Sequence, residues 1–228
     1  MKKNNKIAHR GIYDNNTIPE NSIKAFKKAL NLGYSIELDI QLTKDLIPVI
    51  YHDDNLKRLT NIDNEIKNLN YNELKNIKLL NTNEHIPTLK EVLNLVNNKV
   101  PLLIEIKDNN KNIPLIYEIL LNELKNYNNY LIQSFNPKIL HYIKKINPNI
   151  QTGLLIRNNK HKIKNLIIIN SLIIRYCKPD FISISKKLLN KKSYINLSKK
   201  HNTFIWTITE KKEINNDDYT YICNNLPY

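Results

Sequence analysis

The chain has 228 residues, 41% hydrophobic and 25% charged, with a formal net charge of +14. That length buries a large core, and the apolar fraction excludes a disordered chain. The longest apolar stretch, Leu166 to Ile174, is broken by Asn170 and Ser171 and is too short to cross a bilayer.

In chain order, Ile7-Ala8-His9 reads as a short strand. Asn21 to Leu32 reads as a helix, with Asn21 as its N-cap and Gly33 just past its end. Ile23, Phe26, Ala29 and Leu30 supply its apolar face. Ser35 to Leu42 is a strand, and Pro48 to His52 another. Thr88 and Glu91 make a capping box that opens a helix to about Asn97. Leu102 to Ile106 is a strand, and a helix follows near Ile113 to Lys125. Tyr130 to Ser134 is a strand, after which Asn136 and Pro137 start a helix to about Ile146. Strand Gln151 to Ile156, a helix around Lys164 to Tyr176 and strand Phe181 to Ser185 come next. A helix from Ser193 to His201 and strands Phe204 to Ile208 and Tyr221 to Asn224 close the chain.

Alternating strands and helices imply a parallel sheet. There are nine strand-like runs, one more than an eight-fold barrel needs. Between Leu42 and Pro48 lie only five residues, too few for a parallel crossover. Pro48 to His52 is therefore expected as a hairpin excursion after the second strand. The other eight runs then form an α/β TIM (β/α)8 barrel, one domain over residues 1–228. The rival, an open doubly wound sheet, would want a Gly-rich phosphate loop, and the chain has only Gly11, Gly33 and Gly153.

The residues with chemistry in them sit at the ends of predicted strands, where a barrel of this type collects its reacting groups. His9 and Arg10 close the first strand. Glu37 and Asp39 lie two apart on the second, so both carboxylates share one face while Ile36, Leu38 and Ile40 face the other way. Two acids on the inner face of a barrel are costly unless a positive charge lies between them, and a hard divalent cation answers that with oxygen ligands. His52 ends the excursion, and Glu105 and Lys107 share a face at the end of their strand. This set suggests a dication and an anionic substrate, with a phosphoester the natural choice. Arg10 and Lys107 would neutralise charge, and the imidazoles would act as acid and base.

The basic charge invites a nucleic-acid partner, but it is spread along the whole chain. Asn, Ile and Lys (39, 36 and 31 residues) make up nearly half of it, while Arg occurs four times. These residues share A/T-rich codons, so base drift accounts for the charge, and no nucleic-acid partner is expected. Bidentate recognition of bases or phosphates would also favour Arg over Lys. His85, His141, His161 and His201 read as surface or core filler. Cys177 and Cys223 form neither a disulfide framework nor a metal spacing, and Met1 to Lys6 shows no apolar leader, so a cytoplasmic location is expected.

Together, His9-Arg10-Gly11, Pro19-Glu20-Asn21-Ser22, Glu37 to Asp45, Pro48 to Asp53 and Ile104 to Lys107 resemble the glycerophosphodiester phosphodiesterase family in order and spacing. The likeness continues through Pro87-Thr88-Leu89, Ser134-Phe135, Trp206-Thr207 and Pro227. It implies a barrel that hydrolyses glycerophosphodiesters to sn-glycerol 3-phosphate and an alcohol. It also implies that Glu37, Asp39 and Glu105 hold Mg²⁺ or Ca²⁺, that His9 and His52 are the acid/base pair, and that Arg10 contacts the phosphate with Lys107 beside it. Phe135 and Trp206 would line the glycerol side. A lysophospholipase D-like activity on the same barrel, or a basic nucleic-acid-binding protein on an inactive one, are the alternatives. The sequence departs from the family pattern at Thr209, where Asn is usual, and in Asp218 to Pro227, which lacks the usual glycines and acid. Glu37→Gln and Asp39→Asn are both expected to abolish activity with little loss of fold stability.

Overall fold

Eight strands pair in parallel around a ring, and the first also pairs with the second and the last, so the sheet closes. The computed structural model describes residues 6–107, 112–157 and 166–224. Met1 to Asn5, His161, the predicted helix start at Lys164 and Pro227 lie outside them. The barrel strands are β1 (Lys6–Ala8), β2 (Ser35–Leu42), β4 (Leu102–Ile106), β5 (Tyr130–Ser134), β6 (Thr152–Ile156), β7 (Phe181–Ser185), β8 (Thr203–Ile208) and β9 (Thr220–Cys223). The remaining strand, β3 (Pro48–Ile50), runs antiparallel to the end of β2, as the short Leu42–Pro48 gap requires.

Six helices follow barrel strands: α1 (Ile23–Asn31), α4 (Leu89–Val96), α5 (Ile113–Leu124), α6 (Pro137–Ile146), α7 (Leu166–Cys177) and α8 (Lys192–Ser198). Thr88 and Glu91 form the predicted capping box on α4, and Asn136 caps α6 ahead of Pro137. The cap of α1 is not Asn21 but Ser22. Ser22 is extended, as an N-cap must be, and its hydroxyl accepts from the Ala25 N–H. Asn21 takes a left-handed conformation at φ 56° and turns its side chain into the barrel.

The region after β3 carries two helices of four residues, α2 (Lys57–Thr60) and α3 (Tyr71–Leu74). Helices this short show no periodicity, so the sequence offers little sign of them. They are held by a separate apolar cluster that includes Tyr51, Leu56, Leu59, Ile66, Leu74 and Ile86.

Alternation along the strands sorts the barrel residues. Ile36, Leu38, Ile40, Ile104 and Ile106 face outward into the main core against the helices. Facing inward, Ile7, Leu103, Leu131, Phe181, Phe204 and Ile222 fill one end of the barrel. The Phe181 and Phe204 rings stack there with centroids 4.2 Å apart. Gly153 makes room for them, since a Cβ on it would lie 2.0 Å from the Phe181 ring. Both cysteines are buried free thiols, His85 pairs with Glu91, and His141 stacks on Tyr176. Among the described residues, no helix is long and apolar enough to cross a membrane.

Candidate active site

The site begins at the turn after β1. Arg10 adopts φ 56° and Gly11 φ 80°. Here glycine is required twice over, because a Cβ on Gly11 would also lie 2.8 Å from the Ala25 backbone. The turn points the Arg10 backbone N–H at Glu37 Oε2, 3.0 Å away. It also brings the Arg10 guanidinium to Glu20 Oε1 at 2.8 Å and to within 3.3 Å of Asp39 Oδ2.

Asp39 and Glu105 are direct neighbours across the β2–β4 pairing, and Glu37 lies one inward step below Asp39. Each of the three acids is buried, and one oxygen from each lies within 4.8 Å of the others. Lys107 Nζ reaches in between, 2.7 Å from Asp39 Oδ1 and 2.5 Å from Glu105 Oε1. Asn21 Nδ2 donates to Asp39 Oδ2 at 2.9 Å. Gln133 Nε2 is 3.5 Å from Glu37 Oε1, and Gln133 is itself oriented by the Ser183 hydroxyl.

This crowding splits the acids. Burial, with the negative charges of Asp39 and Glu105, pushes the Glu37 carboxyl well above its ordinary range. Burial and Asp39 also raise Glu105. For Asp39, burial works the same way but is outweighed by Lys107 and Arg10, which hold it ionised far below the usual range. The donor set fits a hard divalent cation: three buried carboxylates converge, and the buried Asn21 Oδ1 beside them has no hydrogen-bond partner.

Two imidazoles face this cluster across an open cavity, which both of them line together with Glu37 and Glu105. His9 Nδ1 lies 2.6 Å from the Asn224 amide oxygen. That oxygen only accepts, so Nδ1 carries the hydrogen and Nε2 keeps its lone pair. Burial, aided by the charge of Arg10, lowers the His9 pKa to about 4, so the ring is neutral near pH 7. His52 Nδ1 donates to Asp53 Oδ1 at 2.6 Å, which likewise leaves Nε2 free. Asp53 is held by Arg58 Nε, and the other two nitrogens of Arg58 grip both oxygens of Glu20 at 2.7 and 3.1 Å. Burial opposes ionisation of Glu20, but the Arg58 hydrogen bonds and the Arg10 charge prevail and lower its pKa to about 2. One chain of alternating charges thus runs from Asp53, behind His52, to Asp39.

The far wall is aromatic. Phe135 and Trp206 meet edge to face with centroids 5.8 Å apart, and Trp206 Nε1 donates to the Ser183 carbonyl. The Arg157 guanidinium lies 4.8 Å over the Phe135 ring.

Residues 9–224 match the glycerophosphoryl diester phosphodiesterase family. The chain belongs to that family of enzymes. A glycerophosphodiester phosphodiesterase of Caldanaerobacter subterraneus is 41% identical over 160 residues, 65% of each chain. One from Bacillus altitudinis is 34% identical over 168 residues, 68% of each chain. Among solved structures, an Oleispira antarctica phosphodiesterase in complex with the product sn-glycerol-3-phosphate shares the fold. Its TM-score is 0.80 at 22% identity, with 96% of this chain and 92% of that one covered.

In this glycerophosphoryl diester phosphodiesterase family member, the nine residues singled out by sequence gather at one mouth. His9, Arg10, Glu37, His52, Glu105, Phe135 and Trp206 line the cavity, while Asp39 and Lys107 lie against its acids. Arg10 and Lys107, expected to face an anion, each lie against two carboxylates, Glu20 and Asp39 for Arg10 and Asp39 and Glu105 for Lys107. Sequence reasoning passed over Asn21, Gln133, Arg157 and Asn224, as well as the Asp53–Arg58–Glu20 chain. Extending the period of two would have exposed some of these, since Asn224 follows inward-facing Ile222 and Arg157 follows Leu155. Of the departures from the family pattern, Asn224 contacts His9, and the Thr209 hydroxyl accepts from Lys186 beside Glu213.

Proposed function

We propose that the chain is a metal-dependent phosphodiesterase that cleaves glycerophosphodiesters to sn-glycerol 3-phosphate and an alcohol, using His9 and His52 for proton transfer. The observation that carries this reading is the pair of imidazoles, each with Nε2 unengaged among the described residues, on the cavity that the acid cluster also lines. Glu37, Asp39 and Glu105 would hold Mg²⁺ or Ca²⁺, which when bound supplies Lewis acidity at a phosphoryl or hydroxyl oxygen. His9, neutral at pH 7, suits acceptance of a proton at Nε2 from the water whose oxygen replaces the leaving alcohol on phosphorus. His52 has ionised Asp53 behind it as a counter-charge, which suits donation of a proton from Nε2 to the leaving alcohol oxygen. Burial resists ionisation of Asp53, but its hydrogen bonds to His52 and Arg58 lower its pKa. Phe135 and Trp206 offer an apolar wall to the glycerol carbons. The substrate is a small molecule and the place of action the cytoplasm.

The test is release of sn-glycerol 3-phosphate from glycerophosphocholine, with and without EDTA, followed by add-back of Mg²⁺ or Ca²⁺. Loss on chelation and recovery on add-back are expected. Turnover unaffected by EDTA overturns the metal role, and full turnover by His52→Ala overturns the proton-transfer role. Lysophosphatidylcholine, run in parallel, reads out any preference for an acyl-bearing substrate.

A further inference from the structure

Of the cations at the barrel mouth, Arg10 is paired with Glu20 and Asp39, Lys107 with Asp39 and Glu105, and Arg58 with Glu20 and Asp53. Arg157 differs. It lines the same cavity as His9, His52 and Glu105, and among the described residues its only contact partner of this kind is the Phe135 ring beneath it. A guanidinium whose charge is met by a ring and not by a carboxylate still has N–H donors to offer, and their forked arrangement matches the oxygens of a phosphate. Phe135 is in turn braced by Trp206, which fixes the ring that Arg157 covers.

Residue choice points the same way. The chain holds 31 Lys and four Arg, yet three of those four, Arg10, Arg58 and Arg157, lie at this mouth. Arg10 and Arg58 each use several nitrogens on carboxylates.

We propose that Arg157 binds the substrate phosphate, with its in-plane N–H groups donating to non-bridging oxygens. This assignment rests on the phosphodiesterase reading above. The experiment compares wild type with Arg157→Leu on glycerophosphocholine and glycerophosphoglycerol, with inorganic phosphate as a competitive inhibitor. KM for both substrates and the inhibition constant for phosphate are expected to rise together by about tenfold, with a smaller fall in kcat. Arg157→Lys keeps the charge and loses the fork, so it should fall between the two, and it serves as the variant if the leucine form does not fold. KM and phosphate inhibition within twofold of wild type overturn the proposal. A loss confined to one alcohol also overturns it, by placing Arg157 on the alcohol instead. If wild type cleaves no glycerophosphodiester, the phosphodiesterase reading fails. Calorimetric binding of inorganic phosphate to wild type and Arg157→Leu then decides the role of Arg157 by itself, with equal affinities overturning it.

Discussion

At one end of the barrel the inward side chains are Ile7, Leu103, Leu131, Phe181, Phe204 and Ile222. Two residues further along the same strands stand His9, Glu105, Gln133, Ser183, Trp206 and Asn224. A single inward step, about 7 Å of strand, separates a layer that stabilises the fold from one that gathers charge at a cost to stability. The lower layer is apolar, stacked and paired with a glycine that gives it room. The upper layer keeps buried acids and bases in place through hydrogen bonds donated by Asn21, Gln133 and the Arg10 backbone and one accepted by Asn224. Positional accuracy in the upper layer depends on rigidity in the lower one.

The sharpest way to break this contrast lies within the upper layer. Asp39→Asn is expected to reduce turnover more than a thousandfold and also to destabilise the fold by about 3–5 kcal/mol, because it strips buried Lys107 and Arg10 of their shared anion. Glu37→Gln should lose as much activity, but the metal-free protein should melt no lower than wild type, since burial and the charges of Asp39 and Glu105 already push the Glu37 carboxyl well above its ordinary range. The sequence alone led us to expect both substitutions to be mild on stability. Steady-state assays alongside thermal melts check the difference, and equal melting temperatures for the two variants would contradict it. In the lower layer, Phe181→Ala should cost about 3–5 kcal/mol in denaturant unfolding while retaining kcat wherever the protein is folded.

Smaller effects refine the boundary. Arg58→Ala should lower kcat about tenfold by releasing Asp53 and with it the ring of His52. NMR of ¹⁵N-labelled histidine should show the His52 tautomer mixing in this variant, and a wild-type tautomer pattern would contradict the link. The smallest effect concerns pH. His9 titrates near 4 when folded and near 6.5 when unfolded, so between those values the unfolded chain binds more protons and stability falls as pH drops. His9→Gln should flatten that slope between pH 6.5 and 4 in urea titrations.

Much of this was open to reading from residues. Glu37 with Asp39 and Glu105 with Lys107 stand out because acids and a lysine alternate with aliphatics, and a strand that lies inside a barrel leaves one reading for that pattern. The five-residue gap before Pro48 fixed the hairpin by chain length alone. Asn21 misled, because a short polar side chain before an apolar period looks like a cap, and only the left-handed backbone at that position shows otherwise. The Arg58–Asp53 contact is made by a four-residue helix whose placement depends on a local apolar cluster, and nothing periodic announces it. Arg157 was hidden because what marks it is the lack of an anionic partner among the described residues, which is a property of space and not of spacing.

The stacked Phe181 and Phe204 rings and their aliphatic neighbours have one more consequence: the barrel is a well with a single doorway, not a tunnel. Whatever enters must leave past the same threshold. Traffic through that entrance therefore ties each cycle to the clearance of the one before, so rising solvent viscosity and accumulating product should both slow the enzyme even when its chemistry is untouched.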